Sequence, residues 1–210
     1  EAIGKIGSDS TEVASSLARL LTETDEAVLQ AALAALGELG AAARESVPHV
    51  SRLLNHGEPS VRSVAVQMLP RVQSDTGQVV PLLVEALKDD DWTVRTASAG
   101  ALGRVGGPAR PAVPLLFEML AVETDRDAAR AALREIDDVE PAALPTLIAA
   151  LDSEDRSARF YALFFLGKLG PGAREALPAL KRLRDEGDSE RSRRFLDEAI
   201  QKIEGQAAGP

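Results

Sequence analysis

The sequence predicts an all-α protein built from repeated pairs of helices, and three observations support this class. Apolar residues recur at helical spacing in one segment after another, most clearly in residues 91–124. Prolines recur at nearly equal intervals along the chain. Aromatic residues make up only 3% of a chain that is 45% hydrophobic, which suits closely packed Ala- and Leu-rich helices better than strands.

Two sets of fixed points measure the repeat length. Second-helix prolines are spaced by 33, 33, 31 and 33 residues, at Pro48, Pro81, Pro114, Pro145 and Pro178. The expected ends of the first helices follow the same intervals, at Gly4, Gly37, Pro70, Gly103, Arg134 and Gly167. Both sets share one two-residue deletion, between Leu120 and Ala128. The chain is therefore an array of about six helix-turn-helix repeats.

Local signals justify the elements of the first three units. The chain begins inside a repeat, so the first unit is truncated and ends with a helix over about 11–22. The second unit pairs helices over about 26–39 and 44–55, and Asp25 is placed to cap the first of them. The third covers about 59–87, where Pro70 replaces the glycine and should end the first helix.

The later units follow the same pattern with one exception. In the fourth unit Gly103 and Gly106 end the first helix, and Pro114 stands in the first turn of the second, where a missing N–H costs little. The fifth unit, about 125–151, carries the deletion and has Asp137 and Asp138 in place of glycines, so its first helix should be short and any bend should lie there.

The end of the chain predicts a cap. The sixth unit covers about 155–184, and a last helix over about 188–204 aligns as another first helix, with an apolar face of Phe195, Ala199, Ile200 and Ile203. Its other face is charged, as expected of a terminal repeat that meets solvent. We expect residues 1–204 to form one solenoid and residues 205–210 to be a disordered tail.

The residues of the fourth unit carry a family resemblance. The pattern is D-x-x-V-R-x-x-A-x-x-A-L-G-x-x-G followed by A-V-P-x-L, and its members are Asp91, Val94, Arg95, Ala101, Leu102, Gly103, Gly106, Ala112, Val113, Pro114 and Leu116. It resembles the short HEAT-like repeat, of the kind also found in phycobilin lyases, over about 1–204. The resemblance implies a right-handed α-α superhelix, a HEAT-like solenoid with a C-terminal capping helix. It implies little about function, because such repeats serve many roles.

Composition limits the classes of partner. The net charge of -9 opposes binding to nucleic acids or to anionic membranes. No apolar run approaches the 18 residues of a membrane span, and the chain has no cysteine for disulfide or thiol chemistry. The truncated first repeat suggests a fragment of a longer protein, so the compartment is unknown and is taken as cytoplasmic by default.

Several motifs have a structural reading that outweighs a functional one. The G-x-x-G pairs share one repeat position and are read as helix ends, not as nucleotide clamps. Asp89, Asp90 and Asp91 lack calcium-loop spacing and are read as helix caps. His49 and His56 are too far apart to share a metal. Arg62, Arg95 and Arg159 are expected to bridge to acids of neighbouring repeats. We expect no cofactor.

An apolar band on the second helices is the first candidate site. Two columns that are polar elsewhere become apolar in the middle units, at Leu82, Val84, Leu115, Phe117 and Ile148. This helix layer lines the inner curve of similar solenoids, so the band is either a binding groove or, for its second column, packing between repeats.

Two phenylalanines are the second candidate site. Phe160 and Phe164 replace small or polar residues of other first helices and stand four residues apart, hence on one face. Either the last helix covers them, or a partner or second copy does.

The leading hypothesis is a non-catalytic scaffold that binds another protein through its concave layer or open end. The alternatives are an enzyme or enzyme subunit of the phycobilin-lyase kind and a self-associating module.

Overall fold

The computed structural model describes residues 2–73, 75–186 and 190–205, and for residues 2–9 and 191 it describes the backbone alone. The described residues form helices and no strand. The helices are α1 (Ala2–Leu20), α2 (Glu26–Leu39), α3 (Val47–Leu53), α4 (Pro59–Val72), α5 (Thr76–Ala86), α6 (Trp92–Val105), α7 (Val113–Met119), α8 (Arg126–Ile136), α9 (Leu144–Ala150), α10 (Arg156–Leu169), α11 (Leu177–Glu186) and α12 (Glu190–Glu204). The predicted all-α class is confirmed.

The chain divides into two compact units, Glu1–Val105 and Gly106–Pro210, and both use one packing scheme. In the first unit α2, α4 and α6 pack side by side, and each of α1, α3 and α5 contacts the first helix of the following repeat. In the second unit α7, α9 and α11 contact α8, α10 and α12 in the same way, and α12 packs beside α10. The last helix is therefore stacked as another first helix, as its alignment predicts.

Aspartate side chains cap the N-termini of α2, α5, α6 and α10. The Asp25 carboxylate accepts backbone hydrogen bonds from Ala27 and Val28 at 2.9 and 3.1 Å, which confirms the predicted cap. Asp75 and Asp155 cap α5 and α10 in the same way. Asp91 accepts from the Thr93 N–H at 2.8 Å. Each carboxylate satisfies donors that the first helical turn leaves without an intrahelical partner.

The first helices end two residues beyond the first glycine of each pair, at Leu39, Val105 and Leu169. Helix α2 matches the span predicted over about 26–39. Gly40, Gly106 and Gly170, the second glycine of each pair, have φ of 56°, 73° and 52° and stop their helices. In the shortened repeat Asp137 adopts φ 42° at the same position. The chain needs a left-handed residue there, which glycine adopts without steric cost and aspartate adopts more readily than most side chains.

The first glycine of a pair has a different function, so the predicted helix ends are corrected. Gly37 is buried inside α2, where a Cβ would overlap the Met68 sulfur, so its role is to admit the neighbouring helix. Pro70 lies within the last turn of α4 and does not end it. The expected break at Gly4 and Gly7 is absent, because α1 is continuous through both.

The deletion in the fifth repeat shortens its first helix, as predicted. Helix α8 has 11 residues, whereas α2, α4, α6 and α10 have 14. Long side chains link α8 to α10. The Tyr161 hydroxyl donates to the Arg130 carbonyl at 3.0 Å, and Lys168 Nζ lies 3.0 Å from Asp137 Oδ1. Burial raises the pKa of Tyr161, which keeps its hydroxyl protonated as a donor.

Among the described residues, one helical run, Glu26–Leu53, is long and apolar enough to cross a membrane by length and composition alone, although the sequence was expected to hold no such run. In the fold it is interrupted at Gly40 by a 3-10 segment that precedes α3, and Leu29, Leu33 and Leu36 are buried. Core helices of folded domains pass the same test, so the run is weak evidence for a membrane span.

The sequence also predicts a C-terminal tail over residues 205–210. Helix α12 spans Glu190–Glu204, close to the last helix predicted over about 188–204. Gly205 forms a turn, and residues 206–210 of the predicted tail lie outside the described residues.

Candidate functional site

A groove lies between α10 and α12 in the second unit. Its volume is about 1040 Å³. Three aromatic side chains line it and remain exposed, Phe160 by 51%, Phe164 by 37% and Phe195 by 40%. Leu163, Leu183 and Leu196 also line it. We refer to this surface as the α10/α12 groove.

The two faces of α10 explain why these phenylalanines reach solvent. One face buries Ala158, Ala162 and Phe165 in the core of the second unit. Phe160 and Phe164 are one helical turn apart on another face. The Phe164 ring meets that of Phe165 edge-on, with centroids 5.2 Å apart. The exposed aromatics are therefore held on a helix that the core fixes in place.

Helix α12 forms the opposite wall and runs beside α10 in the same direction. The Phe160 and Phe195 rings lie 6.3 Å apart, edge to face, and seven residues further along a Cβ on Gly167 would lie 3.4 Å from Lys202 Cδ. Helix α12 therefore contacts Phe160 through Phe195, and Phe160 and Phe164 both remain exposed. The sequence suggested that either the last helix or a partner or second copy covers these rings, and the last helix provides only part of that cover.

The packing of α12 corrects one detail of the predicted cap. Leu196, Ala199, Ile200 and Ile203 are buried, whereas Phe195, expected on the apolar face, is 40% exposed. At this end of α12 the buried position is shifted by one residue from the predicted one, so that Leu196 is buried in place of Phe195. Arg193, Arg194, Asp197 and Glu198 are exposed, as predicted.

The rim of the α10/α12 groove is cationic. Arg156, Arg159, Lys168 and Lys202 line it, against one acidic residue, Glu198. Lys168 is engaged by Asp137 and lies 5.4 Å from the Phe164 ring centroid. Arg159 donates to the Ser153 carbonyl. Within the described part of the chain, no carboxylate forms an ion pair with Arg156, Arg159 or Lys202.

The predicted apolar band is only partly accessible. Leu82 and Val84 in the first unit are half-buried, as are Leu115 and Ile148 in the second. Phe117 is only 6% exposed, and its ring meets Phe165 edge-on with centroids 6.3 Å apart. Phe117 therefore belongs to packing between repeats, which was the alternative for that column, because α10 supplies an aromatic neighbour.

Arginines at one repeat position form a row with a structural role. The row consists of Arg62, Arg95 and Arg159, which the sequence identified, and Arg126, which it did not. Arg62 and Asp89 form a two-bond ion pair with both N–O distances 2.7 Å. Arg62, Arg95, Arg126 and Arg159 each donate to a backbone carbonyl six residues earlier. Arg126 also lies 3.5 Å from Asp155. Its position follows from the deletion, since the row is spaced by 33, 31 and 33 residues.

The acidic and histidine residues do not assemble a metal site in the part of the chain described. No group of three His, Cys, Asp or Glu side chains there is placed to hold an ion. Asp89 is paired with Arg62, and Asp91 caps α6. His56 Nδ1 accepts a hydrogen bond from the Glu58 N–H at 3.1 Å. The predicted cap is therefore confirmed for Asp91, whereas Asp89, which was also expected to cap a helix, forms the ion pair with Arg62 instead.

The helix pairs, their common loop chemistry and an exposed groove beside the last helix define a helical-repeat protein. A family profile for HEAT repeats matches residues 1–69, 46–137 and 113–198. The chain therefore belongs to the HEAT-repeat family, which confirms the predicted resemblance. No curated protein matches the sequence.

Three solved structures illustrate the similarity of fold. An engineered protein from a structural genomics consortium is 20% identical, with a TM-score of 0.62 over 91% of this chain and 96% of that one. Computationally designed armadillo repeat proteins for modular peptide recognition are 19% identical, with a TM-score of 0.60 over 90% and 98%. The CpcE–CpcF complex of phycocyanin lyase from Nostoc sp. PCC7120 is 18% identical, with a TM-score of 0.50 over 89% and 75%. At these identities the likeness concerns the fold alone.

Proposed function

We propose that this chain is a non-catalytic protein-interaction module and that the α10/α12 groove is its principal docking site. The observation that carries the proposal is the exposure of Phe160, Phe164 and Phe195 in one groove. Fully covering a phenylalanine gains roughly 1.5–3 kcal/mol, so covering three half-exposed rings would gain about half of that for each. Aromatic side chains in a pocket are also typical centres of binding energy at protein interfaces.

The chemistry of the groove supports a binding role. Its lining combines aromatic and aliphatic side chains with cations, and contains neither histidine nor cysteine among the described residues. Such a lining favours a protein segment with apolar anchors. The net charge of -9 disfavours nucleic acid as the partner. The designed armadillo proteins of similar fold, made for peptide recognition, are consistent with this role.

The half-buried band residues are secondary candidates. Leu82 and Val84 in the first unit, and Leu115 and Ile148 in the second, expose part of their side chains. We place them after the groove because their partial burial leaves less apolar surface for a partner.

Peptide display tests the docking site with probes that do not depend on the identity of the partner. Clones selected from a random peptide library on the wild-type chain are compared on a Phe160→Ser, Phe164→Ser variant. The matched control is a Val13→Ser, Leu20→Ser variant, because these α1 side chains are exposed by 50% and 39%. We expect the dominant clones to lose at least about tenfold in affinity on the groove variant, which is ~1.4 kcal/mol, and to bind the control normally. Clones that bind all three proteins alike would refute the groove as the docking site.

Self-association through the same phenylalanines is a separate outcome. If a second copy occupies the groove, light scattering over a concentration series would show an apparent mass that rises with concentration for the wild type. A Phe164→Glu variant would keep the mass of a monomer. A mass that stays constant with concentration excludes a second copy as the occupant of the groove.

A further inference from the structure

We infer that the occupant of the α10/α12 groove is an acidic amphipathic helix of a partner protein. It carries apolar side chains in its middle and carboxylates toward both ends. This inference rests on the proposed docking function and adds the chemistry of the partner.

The positive charge of the groove indicates that the partner segment is negatively charged. Four cations and one carboxylate line the groove in a chain whose net charge is -9. Ion pairs occupy many of the other arginines, such as Arg62, Arg110 and Arg182, whereas Arg156 and Lys202 meet no carboxylate among the described residues. Complementary potentials select partners and speed their encounter, so the cations favour carboxylates.

The positions of the cations set the spacing of those carboxylates. Arg156 and Arg159 stand at the N-terminal end of α10, and Lys168 stands 12 residues after Arg156, which is about 18 Å at ~1.5 Å per residue. Lys202 lies at the Lys168 end, because it packs beside Gly167. The cations therefore flank the exposed phenylalanines at both ends of the groove.

The spacing of the apolar side chains favours a helical occupant. Phe160 and Phe164 are one turn apart, about 6 Å along the axis, which matches side chains at i and i+4 of a helix lying along the groove. A helix that covers about 18 Å has roughly 12 residues. An amphipathic helix in an apolar groove is a common mode of recognition, and its anchors recur at i, i+4 and i+7.

Anisotropy titrations with two labelled peptides test the inference. The probes are amphipathic helices with the same Leu and Phe anchors at i, i+4 and i+7, one with aspartate and glutamate toward both ends and one with lysine there. Arg156→Glu and Lys202→Glu reverse the rim charge at either end of the groove. Arg174→Glu is the matched control, because Arg174 is exposed and does not line the groove.

We expect the acidic peptide to bind the wild type more tightly than the lysine peptide. Each rim reversal should weaken the acidic peptide about fivefold, because an exposed attraction is replaced by a repulsion of similar size. The same variants should bind the lysine peptide more tightly, and Arg174→Glu should change neither. Arg156→Glu places a carboxylate in the first turn of α10, where the helix dipole favours it, so the variant should fold normally.

The outcomes separate this inference from the docking function. If both peptides bind the wild type equally, or if the rim variants do not distinguish them, the acidic partner is rejected, whereas the display result on Phe160 and Phe164 still supports docking. If neither peptide binds, the helical acidic occupant is rejected, and the docking function is judged by the display experiment alone.

Discussion

Removal of the Arg62 side chain gives the most direct test of how the repeats of the first unit hold together. Arg62 in α4 donates to both Asp89 oxygens at 2.7 Å, and to the carbonyls of His56 and Gly57 at 2.8 and 3.0 Å. It thereby joins the loop before α4 to the loop before α6. An Arg62→Ala change removes all four hydrogen bonds and leaves the Asp89 carboxylate without its cation.

The expected loss follows from burial and geometry. The Arg62 and Asp89 side chains are only 15% and 14% exposed. Breaking a buried pair from one side costs about 3–5 kcal/mol, because a charge is left without its partner. Here water reaches the site in part, and Asp89 still accepts from the Asp91 N–H at 2.9 Å. We therefore expect a loss of roughly 2–4 kcal/mol in the free energy of unfolding.

The control is an ion pair of the same repeat that lies in solvent. Arg71 and Glu38 are 3.4 Å apart, and their side chains are 48% and 81% exposed. Such a pair contributes about 0–1 kcal/mol, so Arg71→Ala should have little effect. The comparison separates the loss of a buried ion pair from the general effect of shortening an arginine on α4.

Urea unfolding followed by circular dichroism measures both variants, and a double-mutant cycle with Asp89→Ala isolates the pair. We expect a coupling energy of about 1.5–3 kcal/mol between Arg62 and Asp89, in the range of hydrogen bonds to charged groups. A coupling below about 0.5 kcal/mol would show that the pair does not stabilise the junction. Equal losses in Arg62→Ala and Arg71→Ala would refute the reasoning from burial.

Three further predictions follow from the same structure. The Arg62 guanidinium lowers the pKa of Asp89. The ion pair therefore stabilises the fold fully above the ordinary aspartate pKa of about 3.9, and this stabilisation is lost as the pH falls through the lowered pKa. In urea titrations, the difference in free energy of unfolding between wild type and Arg62→Ala should be constant from about pH 7 to 5 and shrink below about pH 4. Phe165→Ala should cost about 3–5 kcal/mol, because this ring is fully buried among other rings, whereas Phe160→Ala should cost about 1 kcal/mol or less; similar thermal midpoints would contradict this division of core from groove. Gly170→Ala should cost about 1–2 kcal/mol because of its φ of 52°, whereas Gly172→Ala, with open space around it, should be neutral or slightly stabilising, and equal midpoints would show that backbone strain is absent.

The helices and their repeat could be predicted because their signals are local. Apolar residues at helical spacing, capping aspartates and turn glycines act within a few residues, and they act again in every repeat. The shortened α8 followed from a two-residue deletion in an otherwise regular array. The expected helix ends at Gly37, Gly103 and Gly167 lay two residues too early. A glycine pattern does not distinguish Gly37, which admits a neighbouring helix, from Gly40, which adopts a positive φ.

The candidate site was predicted in part. Phe160 and Phe164 were identified from the sequence because they depart from columns that are small or polar in the other repeats, and both line the groove. Phe195 was expected in the core and instead lies on the groove wall. The cationic rim was not anticipated, because Arg156, Lys168 and Lys202 come from two helices that only the stacking of α12 on α10 brings together.

The sequence alone therefore determined the helices and their repeat, because both are set by spacing along one chain segment. It identified Arg62, Arg95 and Arg159 but missed Arg126, and it did not foresee that Arg159 would bind the Ser153 carbonyl and no carboxylate of the described residues. Tertiary structure decided which of two similar phenylalanines is buried: Phe117 meets Phe165 across the helix layers, whereas Phe160 meets the edge of α12 and stays exposed. Burial depends on what a neighbouring element covers, and a repeat pattern does not specify that cover.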